Sequence, residues 1–467
     1  MGNITFLPNE IFEVLKRIKS SSSPGPDEIN QRILKEVADA VALPLLLLFT
    51  KSMASGKIPN DWKKATVVPI FKSGTKKEPV NYRPISLTSV VVKIMERVIK
   101  EKMMAHLVSN KLIGDSQHGF MPRKSTTTNL VAYVNYITEQ LDQGQPVDVI
   151  YLDFAKAFDK VPHKRLLQKL RSFNFSTETM KWIEAWLCDR WQRVVVNGQY
   201  SEWEKVISSV VQGSVLGPLL FLIFINDIDS CIGQYEGFAS KFADDSKIAK
   251  VVNDPKTANE MQNIINNLEK WCKDWGMSFN TEKCCIMQFG HNNLHTTYTL
   301  DGQQLKNVST QKDLGVIITN NRSPSDQCAQ AAKKGNQVLG RIRRSFSCYT
   351  KEVMLQIYKV FVRPHLEYAV SAWCPWQRKD VEMLEKVQHR ATRRMSDVKC
   401  SYPERLSQLN LTSLEDRQQR GDAIEVYKCL RGFWGIESGT LFKPSNPEKQ
   451  ITAAAFIYAT SHTPHKA

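Results

Sequence analysis

Two places in this chain put carboxylates where chemistry is possible. Asp153 ends the apolar run Val147-Asp148-Val149-Ile150-Tyr151-Leu152, and Asp244-Asp245 lies between two short strand-like runs, 238–243 and 246–251. Adjacent carboxylates repel, and burial makes the repulsion worse. An apolar strand-turn-strand has no folding reason to hold such a doublet, whereas a divalent cation supplies one. Mg2+ is a hard ion that takes oxygen ligands in octahedral geometry. Two such ions, about 3.5–4 Å apart, activate an attacking hydroxyl and stabilise a leaving oxygen, as phosphoryl transfer to a nucleic-acid end requires. Taken singly, each acid has a plainer use. An Asp-Asp pair suits a solvated turn, and a strand-end aspartate caps the segment after it.

Those acids need a frame. Residues 147–152 read as a buried strand that delivers Asp153 at its tip. The doublet reads as the two-residue tip of a hairpin. Upstream, Leu7–Lys19 has helical spacing, 20–27 is a loop, and Asp27 is placed to cap a helix over Glu28–Ser55, bent before Pro44 and ended by Gly56. Strands are expected at Ala65–Phe71 and Tyr82–Leu87 around the basic turn 72–77, with helices at Val90–Asn110 and at Leu130–Leu141, the latter closed by Gly144. Helices follow at His163–Phe173, Thr177–Arg190, Gly217–Ile228 and Pro255–Gly276, with a hairpin over 192–209. Strands are expected at Cys284–Phe289, at Tyr298–Leu300 with Leu305–Val308, and at Lys312–Ile318. From Ala329 to Leu430 the pattern is mainly helical, with Trp373 and Trp376 read as core residues in preference to rings that stack on bases, and the tail after Gly439 has no periodicity.

Composition narrows the partner. Of 467 residues, 42% are hydrophobic and 9% aromatic, which excludes a wholly disordered chain. Lys and Arg number 63 against 47 Asp and Glu, a net charge of +16, so a polyanion is the expected partner. Residues 331–400 concentrate the surplus, with 15 Lys and Arg against 6 Asp and Glu. The longest apolar runs, Val41–Phe49 and Val215–Ile225, are interrupted and shorter than the roughly 20 residues of a membrane span, so no membrane partner is expected. The start carries no basic-then-apolar segment, and Phe6 stands where myristoylation needs Ser or Thr. The ten cysteines form no C-x-x-C pair and read as thiols of a reducing compartment rather than as a zinc site. Arg341-Ile342-Arg343-Arg344 is too short for a nuclear-import signal, so an intracellular placement, nucleus or cytoplasm, stays open.

Several boxes together resemble one family. Residues 152–161 (LDFAKAFDKV) are similar to palm motif A of reverse transcriptases from non-LTR (LINE-type) retrotransposons, 212–221 (QGSVLGPLLF) to motif B, 242–245 (FADD) to motif C and 276–283 (GMSFNTEK) to motif D. Gly25-Pro26-Asp27, Asn81-Tyr82-Arg83-Pro84-Ile85-Ser86-Leu87 and Gln117-His118-Gly119-Phe120 resemble the family's N-terminal and fingers segments. Asp313-Leu314-Gly315-Val316 and Arg363-Pro364-His365-Leu366-Glu367-Tyr368 resemble the thumb and post-thumb part of jockey-superfamily elements. Each box alone is weak, but the order and spacing over roughly residues 10–430 are specific.

The resemblance implies an α+β right-hand polymerase (fingers, palm, thumb) with a basic, mainly helical C-terminal extension. It would comprise an N-terminal helical extension (1–60), fingers (61–145), a palm with motifs A to D (146–290), thumb and basic helices (291–435) and a disordered tail (436–467). It implies RNA-directed DNA synthesis with RNA template, DNA primer and dNTPs as partners. Asp153, Asp244 and Asp245 would be catalytic ligands of two Mg2+ ions, with Mn2+ as a possible substitute. Phe158 would clash with a ribose 2′-hydroxyl, or else be an ordinary core ring. Gln212 and Gly213 would flank the nucleotide. Arg83 would grip the triphosphate, with Lys72 doing the same or else being a solvated turn lysine, and Lys283 would protonate pyrophosphate, or else be a surface lysine. Arg341, Arg343, Arg344, Arg390, Arg393 and Arg394 would hold nucleic-acid phosphates, or else form a solvated helix face.

The chain departs from the pattern in places. Val211 stands where motif B usually has Pro, behind Ser209-Val210 where Gly-Val is usual; Phe242 replaces Tyr, and Lys124 replaces Arg. No carboxylate is lost. Only a short stretch precedes the fingers, so the endonuclease of full-length elements is expected to be missing. The alternatives are a decayed copy that binds RNA without catalysis, and a maturase-like relative, against which the post-thumb boxes speak.

Overall fold

A computed structural model of the chain describes every residue except 22, 347–349, 394, 396–399 and 436–467. Arg394 and the tail expected after Gly439 therefore lie outside the described residues.

Three helices open the chain: α1 (Pro8–Lys16), α2 (Gln31–Glu36) and α3 (Ala38–Ser55). Asn30 caps α2, not Asp27, its side chain accepting the Arg32 amide at 2.8 Å. The bend comes at Val37 rather than before Pro44. Pro44 is exposed, and on the solvent side of a helix a missing amide is least costly. Gly56, at φ +64°, ends α3 as expected. By length and hydropathy α3 is the one helix among the described residues that qualifies to cross a membrane; its Ala42, Leu45, Phe49 and Met53 are core residues.

β1 (Lys64–Phe71) pairs antiparallel with β2 (Tyr82–Thr88), and α4 (Val90–Ser109) follows. α5 (Thr126–Asp142) starts four residues before its apolar spacing does, because Ser125 and Thr128 cap it reciprocally. β3 (Val147–Leu152) is buried at every position. Next come α6 (His163–Arg171) and α7 (Thr177–Leu187), which stops short of Arg190 because Asp189 turns left-handed (φ +54°) and Arg190 opens a strand. The strands β4 (Arg190–Val196), β5 (Gln199–Tyr200) and β6 (Glu204–Val206) form the expected hairpin. α8 (Gly217–Ile225) takes Pro218 in its first turn and buries every other residue; it tightens to 3-10 geometry beyond Ile225 instead of running on to Ile228.

β7 (Phe238–Phe242), β8 (Asp245–Val251), α9 (Pro255–Trp275) and β9 (Cys285–Phe289) match their expected spans closely. The next stretch does not. β10 (Thr299–Leu300) pairs with β11 (Gln303–Gln304), while β12 (Lys306–Asn307) lies parallel to β9. The single strand expected at Lys312–Ile318 is a hairpin of β13 (Thr310–Asp313) and β14 (Val316–Thr319), turned by Leu314 at φ +45° and Gly315 at φ +93°. Among the described residues six α-helices follow: α10 (Ser325–Ser345), α11 (Lys351–Ile357), α12 (Arg363–Glu367), α13 (Arg378–Thr392), α14 (Tyr402–Gln408) and α15 (Leu414–Leu430).

The mixed helix-and-sheet chain forms two compact units, each of non-contiguous segments. The first takes residues 1–120, 152–235 and 263–283, and holds the sheet β2-β1-β4-β5 with β6 on β4. Its core encloses α8, Trp182 and Trp186. It also buries Lys169, whose ammonium pairs with Asp227, donates to the Phe224 carbonyl at 2.5 Å and lies 3.8 Å from the Trp275 ring centre. The carboxylate, the carbonyl and the ring faces each attract a buried ammonium electrostatically. The second unit takes 121–151, 236–262 and 284 onward. It carries the sheet β12-β9-β3-β8-β7 and two cores. One packs Tyr133, Val149, Tyr151, Met287 and Phe289 around the sheet. The other packs Val316, Tyr358, Leu366, Trp373, Leu384 and Val387 among the helices. Burying each such aliphatic or aromatic side chain contributes about 1.5–3 kcal/mol. Trp373 is thus a core residue as expected, but Trp376 is 71% exposed. The nine cysteines among the described residues are free thiols.

Candidate active site

The β7–β8 hairpin closes one residue earlier than expected. Phe242 pairs with Asp245, so the two-residue tip is Ala243-Asp244 and Asp245 is the first residue of β8. Two-residue hairpin tips need left-handed backbone to match strand twist, and Ala243 supplies it at φ +58°. Asp244 is half-buried and Asp245 exposed. Asp153 follows directly on Leu152, the last residue of β3, and β3 neighbours β8 in the sheet. All three acids are hard oxygen donors, the chemistry that suits Mg2+ or Mn2+. Among the described residues, no three His, Cys, Asp or Glu side chains form a metal-ligand group.

The segment after Asp153 is pinned by residues 278–283. The Asp153 carbonyl accepts the Asn280 amide at 2.7 Å, Ala155 donates its amide to Ser278, and Phe154 stacks on Phe279 with ring centres 4.8 Å apart. That anchoring brings Lys283 to Asp153, Nζ to Oδ1 3.7 Å. Two residues along β8 from Asp245, on the same face, Lys247 forms a buried ion pair with Asp313 at the end of β13. Its ammonium lies 4.4 Å from the Tyr133 ring centre, and the Tyr133 and Tyr151 hydroxyls meet at 2.7 Å.

Phe158 stacks on Phe221 of α8, ring centres 4.4 Å apart, so the packing role is present in the structure; its ring is half-buried. The segment 208–213 is held along its length. His163 Nε2–H donates to the Ser209 carbonyl at 2.8 Å, Val210 donates to Phe158 at 2.9 Å, and Ser86 of β2 donates to the Gln212 carbonyl at 2.8 Å. Gly213 takes φ +115°, and a Cβ there would collide with the Ser86 carbonyl oxygen. Motif B is therefore latched to the strand that also carries Arg83. Arg83 and Lys72 are both exposed, on the open side of the β1–β2 pair, where Ile70 pairs with Arg83. A cleft of about 350 Å³ is lined by Ser86, Asp159, Arg190, Gln192, Ser209 and Gln212; Arg83 and Lys72 are not in its wall.

Glu96 was not singled out from the sequence. It is fully buried on α4, and Oε2 accepts the amides of Val215 (2.7 Å) and Leu216 (3.2 Å) at the start of α8 while Oε1 accepts Trp186 Nε1–H (2.8 Å). Burial pushes its pKa up, against the pull of those donors and of Arg190. Arg190 is buried too, which brings its pKa down to about 10. A signal existed: Glu96 falls on the apolar stripe of α4 with Val92 and Ile99, where a charge requires a partner.

On the helices, Arg343 and Arg344 are exposed in the last turn of α10, Arg341 is exposed just before it, and Arg390 and Arg393 are exposed at the end of α13. Arg390 donates to Asn336 in the middle of α10 at 2.6 Å, joining the end of α13 to that helix. The helices cross closely at Gly335, where a Cβ would press on Leu366 and Val387 at 3.1 Å.

Comparison with known proteins gives the same direction. Residues 74–323 match the family described as reverse transcriptase (RNA-dependent DNA polymerase). The chain is similar to the probable RNA-directed DNA polymerase from transposon BS of Drosophila melanogaster, 27% identical over 433 residues, which cover 88% of this chain and 47% of that protein. It is similar to the RNA-directed DNA polymerase from mobile element jockey of Drosophila funebris, 27% identical over 404 residues, 83% of this chain and 43% of the other. A third relative, the probable RNA-directed DNA polymerase from transposon X-element of Drosophila melanogaster, is 24% identical over 83% of this chain and 44% of its own. The chain spans about half the length of the curated relatives it matches.

Proposed function

The chain belongs to the reverse transcriptase family, and from that premise we propose that it is the RNA-directed DNA polymerase of a non-LTR retrotransposon. The observation that carries the reading is the order of one sheet: β3, which runs into Asp153, neighbours β8, which begins at Asp245. The primer 3′-hydroxyl attacks the α-phosphate of a dNTP, and pyrophosphate leaves. Asp153, Asp244 and Asp245 would hold two divalent ions, Mg2+ with Mn2+ as a substitute, which when bound activate the hydroxyl and neutralise developing charge.

The chain's own residues do the positioning. Gln212 and Gly213 form the wall against the nucleotide, kept rigid by the Ser86 bond and by Glu96 behind it. Arg83 and Lys72 offer fixed positive charge to the triphosphate. Lys283, drawn in by Asp153, carries on Nζ the proton for the leaving pyrophosphate. Phe158, braced by Phe221, bars a 2′-hydroxyl. Arg341, Arg343, Arg344, Arg390 and Arg393 hold template and primer through phosphates. On this reading residues 61–145 are fingers, 146–290 palm, and 291–435 thumb with basic helices.

Primer extension on an RNA template with Mg2+ or Mn2+ tests it. DNA product from the wild type and none from Asp244→Asn is expected; tight RNA binding without extension by the wild type overturns it.

A further inference from the structure

We propose that Asp313 is a positioning residue for the carboxylates of the β7–β8 turn, acting through its ion pair with Lys247. The proposal rests on the polymerase reading above.

Lys247 and Asp313 are both buried, at 4% and 8% side-chain exposure. Taking two charges out of water is repaid only when the geometry is good, and a buried pair is often no more stabilising than apolar side chains of the same size. Fold stability alone therefore does not account for a charged pair at this place. Its location does. Lys247 is two residues from Asp245 on the same face of β8 and interacts electrostatically with that carboxylate, so an ammonium without Asp313 would compete with a divalent ion for it. Asp313 occupies the ammonium instead. The ring of Tyr133 covers it from α5, and the Tyr133 hydroxyl meets that of Tyr151, two residues before Asp153 in sequence. The network thus touches both strands that lead to the proposed ligands.

Asp313 is itself held from outside the sheet. The β13–β14 turn that follows it is fixed by the Tyr368 hydroxyl, which donates to the Leu314 carbonyl at 2.9 Å, and by Tyr368 against Gly315. The amide of Ile317 donates to Gln327 of α10 at 2.9 Å, and Val316 is buried in the helical core. Asp313 cannot follow Lys247 if the lysine swings, so the start of β8 is pinned by a part of the fold distant in sequence.

The test compares Asp313→Asn, Lys247→Met and the double variant Lys247→Met/Asp313→Leu in the full chain. Mn2+ binding is followed by calorimetry, Mg2+ half-saturation by primer extension, and folding by thermal melting. Asp313→Asn leaves an unmatched cation beside Asp245, so Mn2+ binding should weaken about tenfold or more, with the Mg2+ requirement rising in step and the dNTP KM little changed. Lys247→Met leaves an extra anion, so Mn2+ binding should tighten. The double variant should return to wild-type affinity. A merely structural pair would weaken metal binding in both single variants or in neither, and either result overturns the proposal. If one single variant fails to fold, the sign of the shift in the other decides. Failure of the polymerase reading shows separately, as a wild type that binds Mn2+ but extends no primer.

Discussion

Gly213 has no room for even one carbon. Its backbone is left-handed and the Ser86 carbonyl occupies the space a Cβ would take. In Gly213→Ala the Cβ would lie 2.4 Å from the Ser86 carbonyl oxygen, so motif B must move away from β2 by roughly 1 Å to restore ordinary contact. Displacements of about 1 Å at a reacting centre cost about 100-fold in rate, so extension kcat/KM should fall by about that factor while circular dichroism stays native. An unchanged kcat/KM would show that the latch does not position the nucleotide. At this scale the sequence was most legible in where the acids lie: Asp153 directly after β3, and the doublet at the β7–β8 turn. Their supports were not. Glu96 and Asp313 act through partners about 120 and 66 positions away, and no local spacing announces a partner that distant. Phe158 was open between gate and core, and its stack on Phe221 supplies the second without removing the first.

Elements were legible where a single pattern governs. β3 reads as a continuous apolar run and is buried throughout; β1, β2 and α4 likewise keep their expected spans. They were illegible where a turn hides inside an apolar run, as at Leu314-Gly315, or where a cap sits outside the periodic stretch, as at Ser125. One contact between elements predicts a pH response. His163 opens α6 and holds Ser209 through Nε2–H. Burial lowers its pKa below the usual histidine range, the Ser209 bond opposes this, and Arg190 adds to the lowering. A base whose folded pKa is depressed contributes stability above its unfolded pKa, and that share is lost as the pH falls below about 6.5, where the unfolded chain takes the proton more readily. The melting temperature should therefore drop between about pH 7 and 5.5, and His163→Gln should show a shallower drop. Equal slopes for the two proteins would rule the contact out as the cause.

For the whole molecule, charge and connectivity matter most. A net charge of +16 suits a polyanion, and the exposed arginines of α10 and α13 concentrate it. Replacing Arg341, Arg343 and Arg344 together by Gln should weaken RNA binding and flatten the dependence of log affinity on log salt by about 0.7 per lost phosphate contact. A triple variant with the wild-type slope would show that these side chains touch no phosphate. Connectivity was the least legible property. Both compact units are assembled from separate stretches of chain, because strands such as β3 and β9 find each other across four intervening α-helices. Nothing in either strand's own residues names its neighbour.

The central place of β3 also has a consequence for synthesis on the ribosome. This wholly buried strand emerges long before β8, β9 and β12, with which its sheet is completed. Until Phe289 has left the exit tunnel, the nascent chain carries a sticky apolar strand with an unpaired edge that invites pairing with other chains. A premature stop codon anywhere ahead of Cys285 would freeze that state permanently. Truncated products of such messages should be cleared as aggregates rather than persist as inhibitors that occupy RNA.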